Sequence, residues 1–430
     1  MAQTKIKDGL IDASLGIDWQ TTAKTAAFTA VSGEGYYVDT SSSAITVTLP
    51  ASPSDNDEII IIDYASNAGT NNITLGRNSL KIRGGTDDLV LNTDNQTVRL
   101  VYSGATKGWL VASEAGAVAA ILPDLIVNYL VVAGGAGGGN STSNSYGGAG
   151  GGAGGLRTSY TNSSSLNGHT ESSLTLTESA NYTVTVGGGG NSVSNGINSQ
   201  FSTIISTGGG AGGPGISPRT GSSGGSGGGG GAPSGSAGNA ITSPAIQGYA
   251  GGSGGVGSYS NAGGGGGANG VGAAGGNYSS AGQSSVTGGT GGVGLAVNII
   301  STTNATSASV GEVSGSNVYF AGGGAGGTTF HNVGASGGLG GGADSPPNDA
   351  NGNNGTPNTG GGGSGGSTDG GISPAGGQGG SGVVILRYPS DYTITVGSGI
   401  TEASSSPFTE GSDKVSVFTA GTGTITFGTA

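Results

Sequence analysis

The chain has 430 residues, of which one hundred are glycine, none is cysteine and 8% are charged, with a formal net charge of −12. A nucleic-acid surface needs clustered Lys and Arg to neutralise phosphates, and no Lys stands between Lys107 and Lys414, so nucleic acid is not an expected partner. Without cysteine there is no disulfide, no thiolate chemistry and no Cys-ligated metal.

Met1 to Asp8 has no apolar core, so no secretory signal peptide is expected. Residues 1–25 read as a lead-in or attachment segment, with Ile6, Leu10, Ile11, Leu15 and Ile17 at roughly helical spacing. Residues 26–114 read as a β-rich domain. Ile45, Val47 and Leu49 alternate with threonines, the pattern of a half-buried strand. Glu58 to Tyr64 is a continuous apolar run suited to a strand covered on both faces. Short strands are expected near Ile73, Leu80–Arg83, Leu89–Leu91, Thr97–Tyr102 and Trp109–Val111, separated by turn residues. This spacing suggests a β-sandwich-like, trimer-type domain. Asp55-Asn-Asp-Glu58 precedes a strand and reads as a polar turn rather than a cation site.

Residues 115–128 form a linker whose apolar stretch is broken by Pro123, Asp124 and Asn128, which argues against a membrane span. The glycine-rich domain, 129–388, is bracketed by two strand-like runs, Tyr129–Ala133 and Val383–Tyr388. Inside it, Leu174–Thr177 and Tyr182–Val186 flank a four-residue turn and predict a hairpin. Further strand-like islands are Phe201–Ile205, Leu295–Ile300 and Val318–Phe320. Residues 389–430 return to ordinary β composition as a C-terminal segment.

Flexible linker is the default for Gly/Ser blocks. Here the blocks are interrupted by isolated Val, Leu, Tyr or Pro, and both ends are pinned by strand formers. No block sustains the collagen Gly-X-Y register. Packed polyglycine II remains: extended helices of three residues per turn, whose missing Cβ atoms let backbones meet and satisfy their hydrogen bonds laterally. The expected fold class is all-β: a sandwich-like domain, a glycine-rich domain of short strands and polyglycine II helices, then a short β segment.

Chemistry is sparse. The many G-x-G-x-x-G matches are products of composition, and none leads a strand into a helix with a downstream acid. Glu171, Glu178 and Glu312 show no pairing of the kind glycoside hydrolysis needs. His169 and His331 are the two histidines; a metal or catalytic pair would require them to meet, and as loop residues they read as exposed. No catalytic residue, metal or cofactor is expected. Tyr146, Tyr160, Tyr259, Tyr278, Phe330 and His331 sit among Asn, Ser and Gly, a composition suited to sugar binding. With His169 and Asn351 they make the candidate receptor-binding set. Asn351 belongs to the acidic, asparagine-rich stretch Ala343–Thr359, the longest candidate for a displayed loop.

The ordered series Tyr129-Leu-Val-Val-Ala-Gly-Gly135, Gly150–Gly155, Tyr182–Gly188, Phe201–Ile204 and Gly382–Tyr388 resembles the glycine-rich domain of tail-fibre proteins of marine bacteriophages. The upstream run from Ile62–Ala68 through Asn71–Leu75 to Thr97–Ser103 and Gly108–Val111 is similar to a second phage-appendage module. The resemblance implies a virion fibre made without a signal peptide, joined to other virion proteins through its N-terminus and assembled as a homotrimer. It implies a non-enzymatic adhesin that binds a host glycan or outer-membrane protein through loops at the end of a polyglycine II sandwich. The alternatives are a purely structural fibre subunit and, less favoured, a polysaccharide depolymerase. The residues after Tyr388 depart from the family pattern.

Overall fold

A computed structural model describes residues 16–115, 123–142, 146–160, 169, 171–277, 287–329, 334–347 and 349–430. The chain forms two compact units, Met1–Asp124 and Leu125–Ala430.

In the first unit the chain alternates between two sheets as it advances. Strands β1 (Asp18–Trp19), β3 (Glu34–Val38) and β5 (Glu58–Asp63) pair in parallel in one sheet. Strands β2 (Phe28–Thr29), β4 (Ile45–Thr48) and β6 (Ile73–Gly76) do so in the other. The winding is therefore a short solenoid before β7 (Leu89–Leu91), β8 (Thr97–Tyr102) and β9 (Trp109–Ala115) add antiparallel edges. The result is a two-sheet sandwich of five and four strands. Ile45, Val47, Ile59, Ile61, Leu100 and Trp109 are among the buried side chains of its core. Two expectations change. Strand β1 recruits part of the expected lead-in into the sheet, and β5 is covered on one face: Ile59 and Ile61 are buried while Ile60 and Ile62 are half-buried. Residues Leu80–Arg83 make only isolated bridges through Ile82.

The second unit opens with β10 (Ile126–Val132). It then contributes β11 (Leu156–Thr158), β12 (Leu174–Thr175), β13 (Tyr182–Val186), β14 (Ser199–Phe201), β15 (Ile204–Ser206) and β16 (Leu295–Ala296). Helix α1 (Thr302–Ala308), capped by the Ser301 side chain, precedes β17 (Glu312–Ser314) and β18 (Asn317–Phe320). The chain ends in β19 (Val383–Pro389), β20 (Tyr392–Val396), β21 (Ile400–Glu402), β22 (Phe408–Glu410) and the long β23 (Asp413–Thr429). The two bracketing runs pair directly, Val132 opposite Val383 and Asn128 opposite Arg387 in an antiparallel ladder. The glycine domain is thus closed on itself, as the apolar runs predict. The expected hairpin does not form. β12 pairs with β10, and β13 pairs with β14 and β23. Nor are residues 389–430 a separate appendage: β23 lies between β19 and β13 in the same sheet.

Between these short strands and the helix the glycine-rich blocks run back and forth as extended segments that are neither α-helix nor strand. Segment 147–155 shows their packing. Gly148, Gly151 and Gly154 donate to the carbonyls of Gly366, Gly363 and Gly360 at 3.1, 2.8 and 2.9 Å. Ala149, Gly152 and Gly155 donate to Gly213, Gly210 and Thr207, and Gly150 and Ala153 to Gly263 and Gly266. Its carbonyls accept from three other segments, through Gly139 and Ala136, through Gly229 and Ser226, and through Gly327 and Gly324. Each third residue faces the same neighbour, the periodicity of polyglycine II, and the segment has six neighbours. A Cβ on Gly154 would sit 1.9 Å from the Ala133 carbonyl oxygen, and one on Gly150 would sit 2.0 Å from that of Gly324. Only glycine permits this approach. Alanine enters where the lattice leaves a gap, as in the buried cluster Ala149, Ala232 and Ala262.

Candidate functional site

The register of these hydrogen bonds fixes which turns share an end of the lattice. Gly139 bonds Ala149, Ala149 bonds Gly213, Gly150 bonds Gly263, and Gly148 bonds Gly366. The residues that follow or precede these, 140–142 with 146–147, and the turns around 214–220, 256–261 and 367–374, therefore lie together, away from the β10–β19 ladder. Beneath them glycine gives way to buried Ser, Thr and Asn. Thr329 Oγ1 accepts from Gly147 N (3.2 Å) and donates to Ser260 O (3.0 Å), while Thr329 N donates to Asn261 Oδ1 (2.8 Å). Ser367 Oγ accepts from Thr328 N (3.1 Å) and donates to Pro346 O (2.9 Å). Ser141 Oγ donates to Pro374 O at 3.0 Å. This layer satisfies backbone groups where the lattice stops and holds the turns in place.

Above it, Ile216, Val256 and Ile372 are 63%, 64% and 52% exposed. The Arg219 guanidinium lies 5.1 Å from the Tyr146 ring centroid, and its Nε donates to Gly215 O at 3.2 Å. Asp349 Oδ1 accepts from Asp369 N at 2.8 Å, tying two turns together. The face thus offers aliphatic side chains, a half-buried tyrosine under a guanidinium, and carboxylates on a rigid base.

Of the candidate residues, Tyr146 and Tyr259 belong to this face and both are half-buried. Asn351 lies at its margin, exposed, with Oδ1 accepting from Ala375 N at 2.9 Å. The asparagine-rich stretch is correspondingly not a long free loop: Gly352 and Gly355 donate to Ala375 and Gln378 carbonyls, and Asn354 Oδ1 accepts from Gln378 N. Asn195 and Asn198 repeat the device at another exposed edge, accepting from Ala211 N and Gly208 N. Tyr278, Phe330 and His331 lie outside the described residues.

Two candidates stand elsewhere. Tyr160 packs against the core of the second unit, with the Arg387 guanidinium 5.2 Å from its ring centroid. His169 requires a correction, because it is fully buried and presents nothing to a receptor. Its Nε2 lies 2.7 Å from Ala268 O and its Nδ1 3.4 Å from Leu156 O. Burial pulls its pKa below the usual histidine value, against the pull of those carbonyls.

The carboxylates considered at the sequence level serve the fold. Glu171 forms an ion pair with Arg157, whose Nη1 also donates to Ile205 O. Glu312 Oε2 accepts from the amides of Gly340 and Gly341 at 2.7 and 2.9 Å. Glu178 is exposed in a turn. In the first unit, Asp57 Oδ2 accepts from Ser54 N at 2.9 Å and closes its own turn. The residues missed by sequence reasoning are Ile216, Val256 and Ile372: isolated aliphatics among glycines carry no signal that separates a packed side chain from a displayed one.

A family model described as a glycine-rich domain matches residues 112–389, well over half of the chain. The chain belongs to that glycine-rich domain family. The matched region ends at Pro389, so this protein's glycine-rich domain completes its sheet with β20 to β23, which lie beyond the match. No curated protein matches the chain.

Proposed function

We propose that this protein is a subunit of a virion fibre, a non-enzymatic adhesin that binds a host cell-surface glycan or outer-membrane protein through the turn face of its glycine lattice. The observation that carries the reading is the convergence of turns from distant parts of the chain on one end of a hydrogen-bonded, side-chain-poor block. Such a base holds a binding surface rigid, so little conformational entropy is lost when a ligand engages. The turns themselves are free to vary because the lattice bonds run through backbone. The first unit provides attachment to the particle. Assembly as a homotrimer multiplies weak contacts by avidity. Use of Glu171 and Glu312 as backbone and ion-pair partners supports binding over hydrolysis.

The test is binding of labelled full-length protein to a panel of marine bacteria. Saturable binding to a few strains is expected, lost in the triple variant Ile216→Ser, Val256→Ser, Ile372→Ser at unchanged thermal stability. A protein that assembles into fibres but binds no cells would instead be a purely structural subunit.

A further inference from the structure

The first unit carries an open surface that the turn-face reading does not use. Strand β3 is parallel to both of its neighbours, and parallel strands are ordinarily covered on both faces. Here the outward side retains half-buried Ile60 and Ile62. On the same side Trp19 lies over Gly35, where a Cβ would meet the indole at 2.7 Å. The Trp19 ring stacks on Tyr37 with centroids 5.2 Å apart, and Tyr37 meets Tyr64 edge-on at 6.0 Å. Trp19 is 36% and Tyr64 60% exposed. The three rings form a row from β1 across β3 to the end of β5.

At the head of that row is a cleft of about 550 Å³, lined by Ile17, Ser32, Asn56, Asp57, Glu58 and Arg99 among others. Arg99 donates side-on to Glu58, Nη2 to Oε1 at 2.6 Å and Nε to Oε2 at 3.2 Å, and both side chains remain open to solvent. Aromatic surface therefore continues into a concavity that presents carboxylates, an amide, a hydroxyl and a guanidinium.

We propose that this row and cleft bind a neutral oligosaccharide, at a site distinct from the turn face. Sugar rings offer C–H faces to aromatic side chains and hydroxyls that both donate and accept. Their hydroxyls satisfy the Glu58–Arg99 pair and Asp57. A second copy of the chain seated here would desolvate those charges against apolar side chains, at a cost its contacts must first offset. Two carboxylates against one guanidinium repel a sulfated or uronic-acid polymer.

The chain has two tryptophans, and Trp109 is fully buried, so a change in indole emission on adding a sugar reports on Trp19. The full chain is titrated with cellohexaose, mannohexaose and, as an anionic control, an oligogalacturonate. A saturable emission change with a neutral sugar is expected, with the anionic one at least about tenfold weaker. Tyr64→Ala and Arg99→Ala each weaken the neutral sugar about tenfold at unchanged melting temperature. The proposal is overturned by no response to either neutral sugar up to about 10 mM, where a weak ~1 mM contact saturates. It is also overturned by tighter binding of the anionic control, or if Tyr64→Ala instead abolishes concentration-dependent self-association. The turn-face triple variant leaves this titration unchanged, so failure of one site is distinguishable from failure of the other.

Discussion

Single positions in the lattice differ in what they tolerate, and the difference is backbone geometry rather than composition. Gly154→Ala drives a methyl into the Ala133 carbonyl at 1.9 Å, whereas at Gly188 the nearest atom to an added Cβ is Ile197 Cδ1 at 3.9 Å. We expect Gly154→Ala to cost about 3 kcal/mol or more and Gly188→Ala to be neutral or stabilising by about 0.5 kcal/mol, as read by chemical denaturation. His169 sets a pH dependence. Its folded pKa is lowered, with burial the main cause, so below the unfolded value of about 6.5 the unfolded chain binds more protons than the native one. Stability is then full above that value and falls as pH drops from there toward the depressed folded pKa. His169→Gln should flatten this slope between about pH 7 and 5, whatever its effect on stability at neutral pH. Glu410 adds a lower window. Burial opposes its ionisation, but bonds from Ser301 N and Asn304 Nδ2, each at 2.8 Å, and the nearby Arg387 charge hold its pKa below the usual carboxylate value. Its contribution is present above about pH 4.3 and lost as pH falls through the folded value.

Among the elements, β23 decides the most. It pairs with β19, β13, β20, β21 and β22, so a chain ending after Pro389 loses the partner on one side of β19 and leaves Val384, Leu386 and Tyr388 to solvent on that edge. We expect that truncation to aggregate or to lose its cooperative transition in thermal melts. Strands with clean periodicity were legible in the sequence. Ile45 to Thr48, Thr97 to Tyr102 and both bracketing runs fall where alternation or apolar continuity puts them. The hairpin of Leu174–Thr177 and Tyr182–Val186 misled because local turn chemistry names a neighbour in sequence, while Tyr182 instead finds Ile425. Strand β1 is two residues long, too short for any period, and what orders it is the bare backbone of Gly35. The turn face was legible only in part. Tyr146 and Tyr259 stand on it, whereas His169 is folded inward by two carbonyl partners that no pattern near it announces.

At the scale of the whole molecule, two kinds of cohesion coexist. The first unit and the sheet of the second are held by apolar cores, but the lattice is held by peptide groups meeting one another over long stretches of sequence, as Gly148 N meets Gly366 O. Unfolding apolar surface raises heat capacity and unfolding polar surface lowers it. Calorimetry of the full chain should therefore give a ΔCp per residue below the ordinary ~12–15 cal/mol/K. Because lattice bonds close long loops before they return energy, refolding should be slow for a chain of this size.

The asparagines at the lattice margins have a consequence for growth. A block of parallel rods that bond sideways through backbone alone is a nucleus of a polyglycine crystal, and nothing in its bonding rule limits how many rods it adds. Asn195, Asn198, Asn351 and Asn354 each offer a side-chain carbonyl to an amide of the last rod, and so act as a habit modifier does on a growing facet. Replacing these four by alanine would leave rows of unpaired amides on two facets, the condition under which separate molecules begin to accrete.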